Sequence, residues 1–297
     1  MNEVIQNSTN KQTHTYGESL WSKALRKLRK DTIGIVAFFV VLIYLGIAVG
    51  VCLGFFGSSW DRFVTDGYSG MSRQHIFGTN LNGQDIFERA LYGTKTAFQI
   101  GFIVAIVATF LGGILGAVAG FFSGKIPDVL ITWFYGVIDS IPFYLFVAAL
   151  AVALADNPYA MHIAMISTFW TSTCRIIRGE VIKIKHLEYI EAARAIGVSY
   201  TKIIFKHIIP NTIHILLVQS TILFVTAIKS EVILSFLNLG VKEGVSWGLM
   251  LAEAAQEVPA GNFNNFIAAS GFMLILVLAF NTFSDALQDA LDPKKVS

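Results

Sequence analysis

Side chains able to do chemistry are present in this chain, but their spacing points to none of the common reactions. The six histidines (His14, His75, His162, His186, His207 and His214) are scattered. His207 and His214 stand seven residues apart, yet Pro210 lies between them and spoils any shared helical face, so no metal site is expected. Neither His-Glu-x-x-His nor Gly-x-Ser-x-Gly occurs, and the two cysteines, Cys52 and Cys174, are not spaced as a ligand pair. Gly124-Lys125 is not a phosphate-binding loop: Ala119 stands where its first glycine is needed, and Ile126 replaces the Ser or Thr. No catalytic residue, bound nucleotide or cofactor is therefore expected in this chain. Asp139 is the acid that interrupts an apolar run, and carboxylates at membrane depth mark ion-coupled carriers. A single such acid is thin support for that mechanism.

The remaining concentration of functional groups is the stretch from Arg175 to Asn211. It holds seven Lys/Arg (Arg175, Arg178, Lys183, Lys185, Arg194, Lys202 and Lys206) against three acids (Glu180, Glu188 and Glu191). Good helix formers run from about Leu187 to Ile196, and Gly197 follows where helices commonly end in a left-handed residue. Ala192, Ala193 and Ala195 give this helix a small-residue surface that could sink into a partner's groove, with Glu191 and Arg194 at the edge. Ser199 is placed to cap a second short helix, with Lys206 and His207 in its last turn and Pro210 as its stop. A docking surface is the reading; an ordinary surface helical hairpin is the plainer one.

The elements that must position this loop follow from composition. With 54% apolar and 14% charged residues and a mean hydropathy of +0.61, the chain is too apolar for an ordinary soluble domain. A bilayer core of about 30 Å needs roughly 20 apolar residues per helix. Six runs meet that need, at about 32–57, 97–123, 129–154, 157–175, 212–229 and 262–284, which predicts an all-α polytopic membrane protein with a loop at 176–211. The first run is too long for a cleavable signal core and reads as a retained anchor. With the N-terminus inside, segments on the inner side carry sixteen Lys/Arg and those outside carry six, so both termini are expected in the cytoplasm. The net charge of +2 then says nothing about nucleic acid, and none is expected as a partner. Cys52 and Cys174 fall at opposite membrane depths, so no disulfide is expected.

Residues 1–31 read as a cytoplasmic tail ending in a basic juxtamembrane segment, Trp21 to Asp31, suited either to the lipid surface or simply to orienting the first span. Gly46, Gly50 and Gly54, and again Gly112, Gly116, Gly120 and Gly124, recur at every fourth residue and predict close helix packing in the first two spans. Ser140-Ile141-Pro142 predicts a bend beside Asp139, which is either a polar contact on a solute pathway or a helix-end acid paired with a neighbour. The outer stretch 229–261 suggests a short re-entrant or surface-lying helix, with Glu231 read slightly in favour of a solvated helix-end acid. Asp139, Glu231 and Ser235 are carried forward as candidate pathway or gate residues.

The run Glu188-Tyr189-Ile190-Glu191-Ala192-Ala193-Arg194-Ala195-Ile196-Gly197, continuing through Phe205 to Asn211, closely resembles the EAA loop of bacterial ABC-importer permeases. More narrowly, it resembles the C-type subunit of the dipeptide/oligopeptide/nickel family. Phe77-Gly78-Thr79-Asn80, Gly83-Gln84-Asp85, Leu91-Tyr92-Gly93, Arg178-Gly179-Glu180-Val181, Ser246-Trp247-Gly248 and Asp289-Ala290-Leu291-Asp292-Pro293 agree, so the resemblance covers about residues 20–295. Asn80 and Gln84 depart from the family's Asp and Arg, and Lys242-Glu243-Gly244 from its proline-rich segment, which puts substrate or binding-protein details in question.

The resemblance implies a type I importer permease in the bacterial cytoplasmic membrane. Its partners would be a second, homologous permease, two ABC ATPase subunits and an extracytoplasmic solute-binding protein, and its cargo peptides, nickel or another small solute. The helix from Glu191 to Gly197 would couple to the ATPase, with Glu191 and Arg194 as charged contacts, Ala192 and Ala193 in a groove, Gly197 at the turn and Pro210 at the junction. Two other classes compete with it: an ion-coupled carrier acting alone, which needs more intramembrane acids, and a membrane scaffold recruiting soluble proteins through the basic loop.

Overall fold

The computed structural model describes residues 20–154 and 156–291. Residues 1–19 of the expected tail and the terminal Lys294 and Lys295 lie outside the described residues. Among the described residues the chain is all-α, its extended structure limited to two isolated bridges, Phe63 with Gln84 and Thr79 with Asp85. In order come α1 (Leu20–Leu28), α2 (Thr32–Cys52), α3 (Ile86–Phe121), α4 (Ile126–Asp139), α5 (Phe143–Ala153), α6 (Ala160–Ile184), α7 (Glu188–Ala195), α8 (Tyr200–Ile203), α9 (Ile209–Phe236), α10 (Trp247–Glu257) and α11 (Asn264–Leu291).

Asp31 starts α2 by accepting from the backbone amides of Ile33 and Gly34, at 3.1 Å each, which satisfies two donors that a helix N-terminus leaves open. Asp85 does the same for Glu88 at the start of α3. That start lies eleven residues before the expected 97, because the charged Glu88, Arg89 and Lys95 are helical rather than loop. Beyond α1 and α2, Ala24 packs on Ala290 and Leu291, and Lys27 Nζ donates 2.6 Å to the Asp289 carbonyl, tying the first helix to the end of α11.

By length and composition, four helices can cross a membrane: α2, α3, the continuous Tyr200–Phe236 helix and α11. The α4–α5 pair, bent by 90° at the break, makes a fifth if counted as one span. The expected six therefore becomes four or five on this measure. The difference is α6, which is long enough at 25 residues but carries Ser167, Thr168, Thr171, Ser172, Thr173, Arg175 and Arg178. This helix is central rather than peripheral.

The glycine stripe of α3 explains how α6 is held. A Cβ built at Gly112 would lie 2.5 Å from the Trp170 carbonyl oxygen, at Gly116 2.5 Å from that of Cys174, and at Gly120 2.7 Å from that of Arg178. Two backbones thus meet at four-residue steps along both helices, as the spacing predicts. The stripe of α2 behaves otherwise: Gly46 meets nothing within 4 Å, Gly50 faces only the Phe56 ring, and Gly54 lies past the helix at φ +80°. Among the described residues of this chain no helix packs closely on these glycines, and the outer faces of α2 are open, with Ile33, Phe39 and Ile43 exposed.

Two cores result. The larger joins Ile100, Val104 and Ala108 of α3 to Met165 of α6, Phe224 of α9 and Leu276 of α11. The smaller gathers Phe121, Ile177, Val181, Ile190, Ala193, Ile203 and Ile208 at the far end of α3. Both cysteines are free, Cys174 buried and Cys52 exposed.

Candidate functional site

The smaller core is the seat of α7. Ile190 is fully buried there and Ala193 nearly so, while Glu191, Ala192 and Ala195 face away. Removing an Ile side chain from water is worth about 1.5–3 kcal/mol, so Ile190 is enough to orient an eight-residue helix that would be marginal alone. Of the alanines expected to enter a partner's groove, Ala193 is instead spent on the chain's own core; Ala192 and Ala195 remain available.

The end of α7 is built as its glycine suggests. Gly197 has φ +79°, its amide donates 3.0 Å to the Arg194 carbonyl, and Val198 donates 3.1 Å to that of Ala193. This pair of bonds is a Schellman stop. It leaves Ile196 at 80% exposure, next to Leu187, Tyr189 and Tyr200, which are also exposed. The Arg194 guanidinium sits over the Phe121 ring, 4.7 Å from its centroid, and the Phe121, Phe122 and Tyr200 rings pack on one another. Burial, and next the charge of Arg194, hold the Lys185 ammonium below the usual lysine range. His186 Nδ1 stands 3.9 Å from Glu191, whose carboxylate is largely in solvent.

Downstream, the helix expected to stop at Pro210 continues. Ser199 occupies the cap position of α8, though its side chain makes no capping bond. Residues 204–208 form a π-helical segment in which the Ile209 amide donates to the Ile204 carbonyl. Pro210 then enters in the first turn of α9. The wider turn accommodates the hydrogen bond that proline cannot donate. Lys206 and His207 are consequently mid-helix, and the α7-to-α9 connection is stiffer than a short helix with a break. The loop itself is shorter than 176–211, since α6 runs on to Ile184 and takes in Arg178, Glu180 and Lys183.

Asp139 ends α4 at the predicted bend and finds its partners on α6. Arg175 forms an ion pair with it, and Thr171 Oγ1 donates to it at 2.8 Å. Together with Ser140, Pro142, Phe143 and Thr168 they line a cavity of ≈ 570 Å³. A second cavity, ≈ 740 Å³, opens further along α6 at Ile176, Glu180 and Lys183, facing His214 and Gln219 of α9. A third, ≈ 370 Å³, lies at the α6 N-terminus, against Ser235 and the segment after α9. Cavities thus open at three levels of α6, the long helix rich in Ser, Thr and Arg.

Glu231 is not the solvated helix-end acid expected. The helix runs on to Phe236 and the side chain is 3% exposed, bonded to Ser235 Oγ. The close approach of Gly248, whose Cβ would meet Val232 at 2.7 Å, seals α10 over it. Ser235 in turn accepts from Ser246, the cap of α10.

At the opposite end of α3 from α7, Asn80 and Gln84 are buried and bonded to each other at 3.1 Å. Arg89 donates to Gln84 and, at 2.6 Å, to Glu253 of α10. The two departures from the family pattern therefore serve the chain's own packing and offer no outward surface. Glu257 adds a bond to the Leu81 amide at 2.9 Å. Sequence reasoning missed Arg89 and Glu253, which are 164 residues apart, and the pairing of Asp128 with Arg178 at 2.6 and 2.9 Å, which fixes α4 to α6. Pro127-Asp128 does carry a legible signal, that of a helix start; its partner across 50 residues does not.

Comparison with known proteins assigns this architecture. Residues 112–297 match the family described as binding-protein-dependent transport system inner membrane component. The chain is 32% identical to the oligopeptide transport system permease protein OppC of Bacillus subtilis, over 93% of this chain and 90% of that one. It is 32% identical to the dipeptide transport system permease protein DppC of the same organism, over 94% and 86%. To OppC of Escherichia coli K12 it is 31% identical, over 98% and 97%. The chain belongs to the family of binding-protein-dependent transport system inner membrane components, and is a multi-pass permease of the cytoplasmic membrane.

Proposed function

We propose that this chain forms one half of the membrane pathway of an ATP-driven importer of di- or oligopeptides, and that it has no enzymatic activity of its own. It pairs with a second homologous permease, two ABC ATPase subunits and an extracytoplasmic binding protein. The chain crosses the membrane six times, α6 included, with residues 1–31 as a tail and both termini in the cytoplasm beside the lipid headgroups. The observation that carries the reading is the seat of α7: Ile190 and Ala193 anchor it, while Leu187, Ala192, Ile196 and the Glu191 carboxylate are exposed to a partner. Arg194 supports it from Phe121, Gly197 stops it, and the helix through Pro210 carries its movement into the membrane. Solute passes along the α6 side, beside Asp139, with Glu231 and Ser235 holding the far end of α9 to α10.

The test is reconstitution. Proteoliposomes holding both permeases, the ATPases and the binding protein should take up dialanine or a longer peptide only with ATP inside or outside, wherever the ATPases face. A Glu191→Lys or Gly197→Asp complex should insert normally and lose ATP-driven uptake; wild-type uptake by either would refute the coupling role. The purified chain alone should neither bind nor hydrolyse ATP. Uptake of nickel in place of peptides would leave the machinery standing and move the substrate.

A further inference from the structure

The turn after α3 faces a gathering of cations that the chain itself does not neutralise. Lys125, Lys185, His186 and Arg194 line a pocket of ≈ 170 Å³ together with Ser123 and Tyr200, and no Asp or Glu is among its lining residues. Lys125 is exposed at the cap position of α4, Lys185 follows the last residue of α6, and Arg194 comes from α7. Three separate elements therefore bring positive charge to one place. Among the described residues none of these three makes an ion pair. Like charges converging on a partly buried site repel one another unless an anion joins them. Lys185 is half-buried, and burial, then the charge of Arg194, disfavours its ammonium. Asp128 favours it, but that carboxylate is already held by Arg178, Thr132 and the Gly124 amide. Glu191 stands 3.9 Å from His186 and is itself largely in solvent.

The size of the pocket and the surface beside it specify the anion. Small-molecule sites begin near about 300 Å³, so this pocket takes a single charged group rather than a whole ligand. Lysine and arginine converging from several elements suit the several acceptor oxygens of a phosphate. The rest of the occupant is read from α4. Ile126, Val129, Leu130, Trp133 and Phe134 are all exposed and share one helical face, which begins at the residue after Lys125. On a membrane-spanning chain such a face suits acyl chains, and its beginning marks the depth at which headgroups lie.

We infer that this pocket holds the phosphate of an anionic phospholipid of the inner leaflet, between Lys125, Lys185 and Arg194, with the acyl chains along the exposed face of α4. The choice of leaflet rests on the orientation proposed above; the site is independent of what the importer carries. A lipid seated there braces α7 from the membrane side, because Arg194 is shared between the phosphate and the Phe121 ring. A free phosphate ion would meet the same cations without using α4, and the experiment separates the two sources.

The purified complex of both permeases and the ATPases, in a nonionic detergent, is mixed with equal amounts of dioleoylphosphatidylglycerol and dioleoylphosphatidylcholine. Native mass spectrometry then reads which lipid is retained first. The wild type should retain the anionic lipid in clear excess. Lys125→Gln and Lys185→Gln should each lower that excess about five-fold, the factor equivalent to about 1 kcal/mol per basic residue near an anionic surface. Lys242→Gln removes the same charge beside the opposite end of α6 and should change nothing. Phosphatidylglycerol should also raise the thermal midpoint of the wild type and leave that of Lys125→Gln, an exposed change, where it was. Equal retention of the two lipids by the wild type overturns the proposal, as it would if another subunit covered α4; so does wild-type retention by Lys125→Gln. A midpoint raised as far by inorganic phosphate as by phosphatidylglycerol overturns it too, and makes the occupant the free ion. None of these outcomes touches the importer reading, which dialanine uptake by the reconstituted wild type tests separately.

Discussion

The two ends of α3 are finished in opposite ways. At its start, Asn80, Gln84, Arg89 and Glu253 turn polar groups inward and bond them to one another. At its finish, Leu187, Tyr189, Ile196 and Tyr200 turn apolar groups outward around α7. The first end is largely closed within the chain, its side chains bonded to one another except for Arg89 Nε, which has no partner among the described residues. The second end is complete in backbone, through the Gly197 stop and the Ile190 anchor, but not in surface. Rigidity in the one and readiness for a partner in the other is the division expected when one end holds a pathway together and the other receives work.

That contrast can be broken by measurement. The largest stability effect should come from Arg89→Ala, which strands Glu253 and Gln84; removing one member of a buried pair costs about 3 kcal/mol. Thermal unfolding of the complex in detergent should show it, and an unchanged midpoint would mean the start of α3 is not self-contained. Gly197→Ala comes next, at about 1 kcal/mol, because alanine resists the left-handed backbone found there. Its ATP-driven uptake should fall further than its stability, in the same reconstituted assay. Ile196→Ser should be smallest in stability, within about 0.5 kcal/mol for a solvent-exposed site. Yet it should weaken retention of the ATPase on the purified permease; retention equal to wild type would show that this surface is not a contact.

Much of this was legible in the residues, and the failures have a common cause. Gly197 announced its stop and Pro142 its bend, because glycine and proline act on the backbone at their own position. The stripe Gly112, Gly116 and Gly120 likewise announced a close approach, whereas Gly46, Gly50 and Gly54 announced one that no helix of this chain makes among the described residues. Spacing states which face of a helix is small; it does not state that another helix arrives. The same limit hid Arg175 from Asp139 and Glu253 from Arg89, since a polar pair across the fold has no local signature. Pro210 misled in the other direction: its local veto on helix continuation was absorbed by a π turn that only the surrounding packing of Ile203, Ile204 and Ile208 supports. For the site, α7 could be read directly, while the buried state of Glu231 and Ala193 depended on α10 and α3 closing over them.

The uninterrupted Tyr200–Phe236 helix has a mechanical consequence. At 37 residues and 1.5 Å per residue it is a rod of about 55 Å, and a tilt of only about 10° swings one tip relative to the other by about 10 Å. The π turn at 204–208 carries the helix past Pro210 without a break, close to the end beside α7, so the whole length turns as a single arm. A tilt imposed at that end would displace Glu231 and Ser235 at the far tip, with no relay of side chains between them.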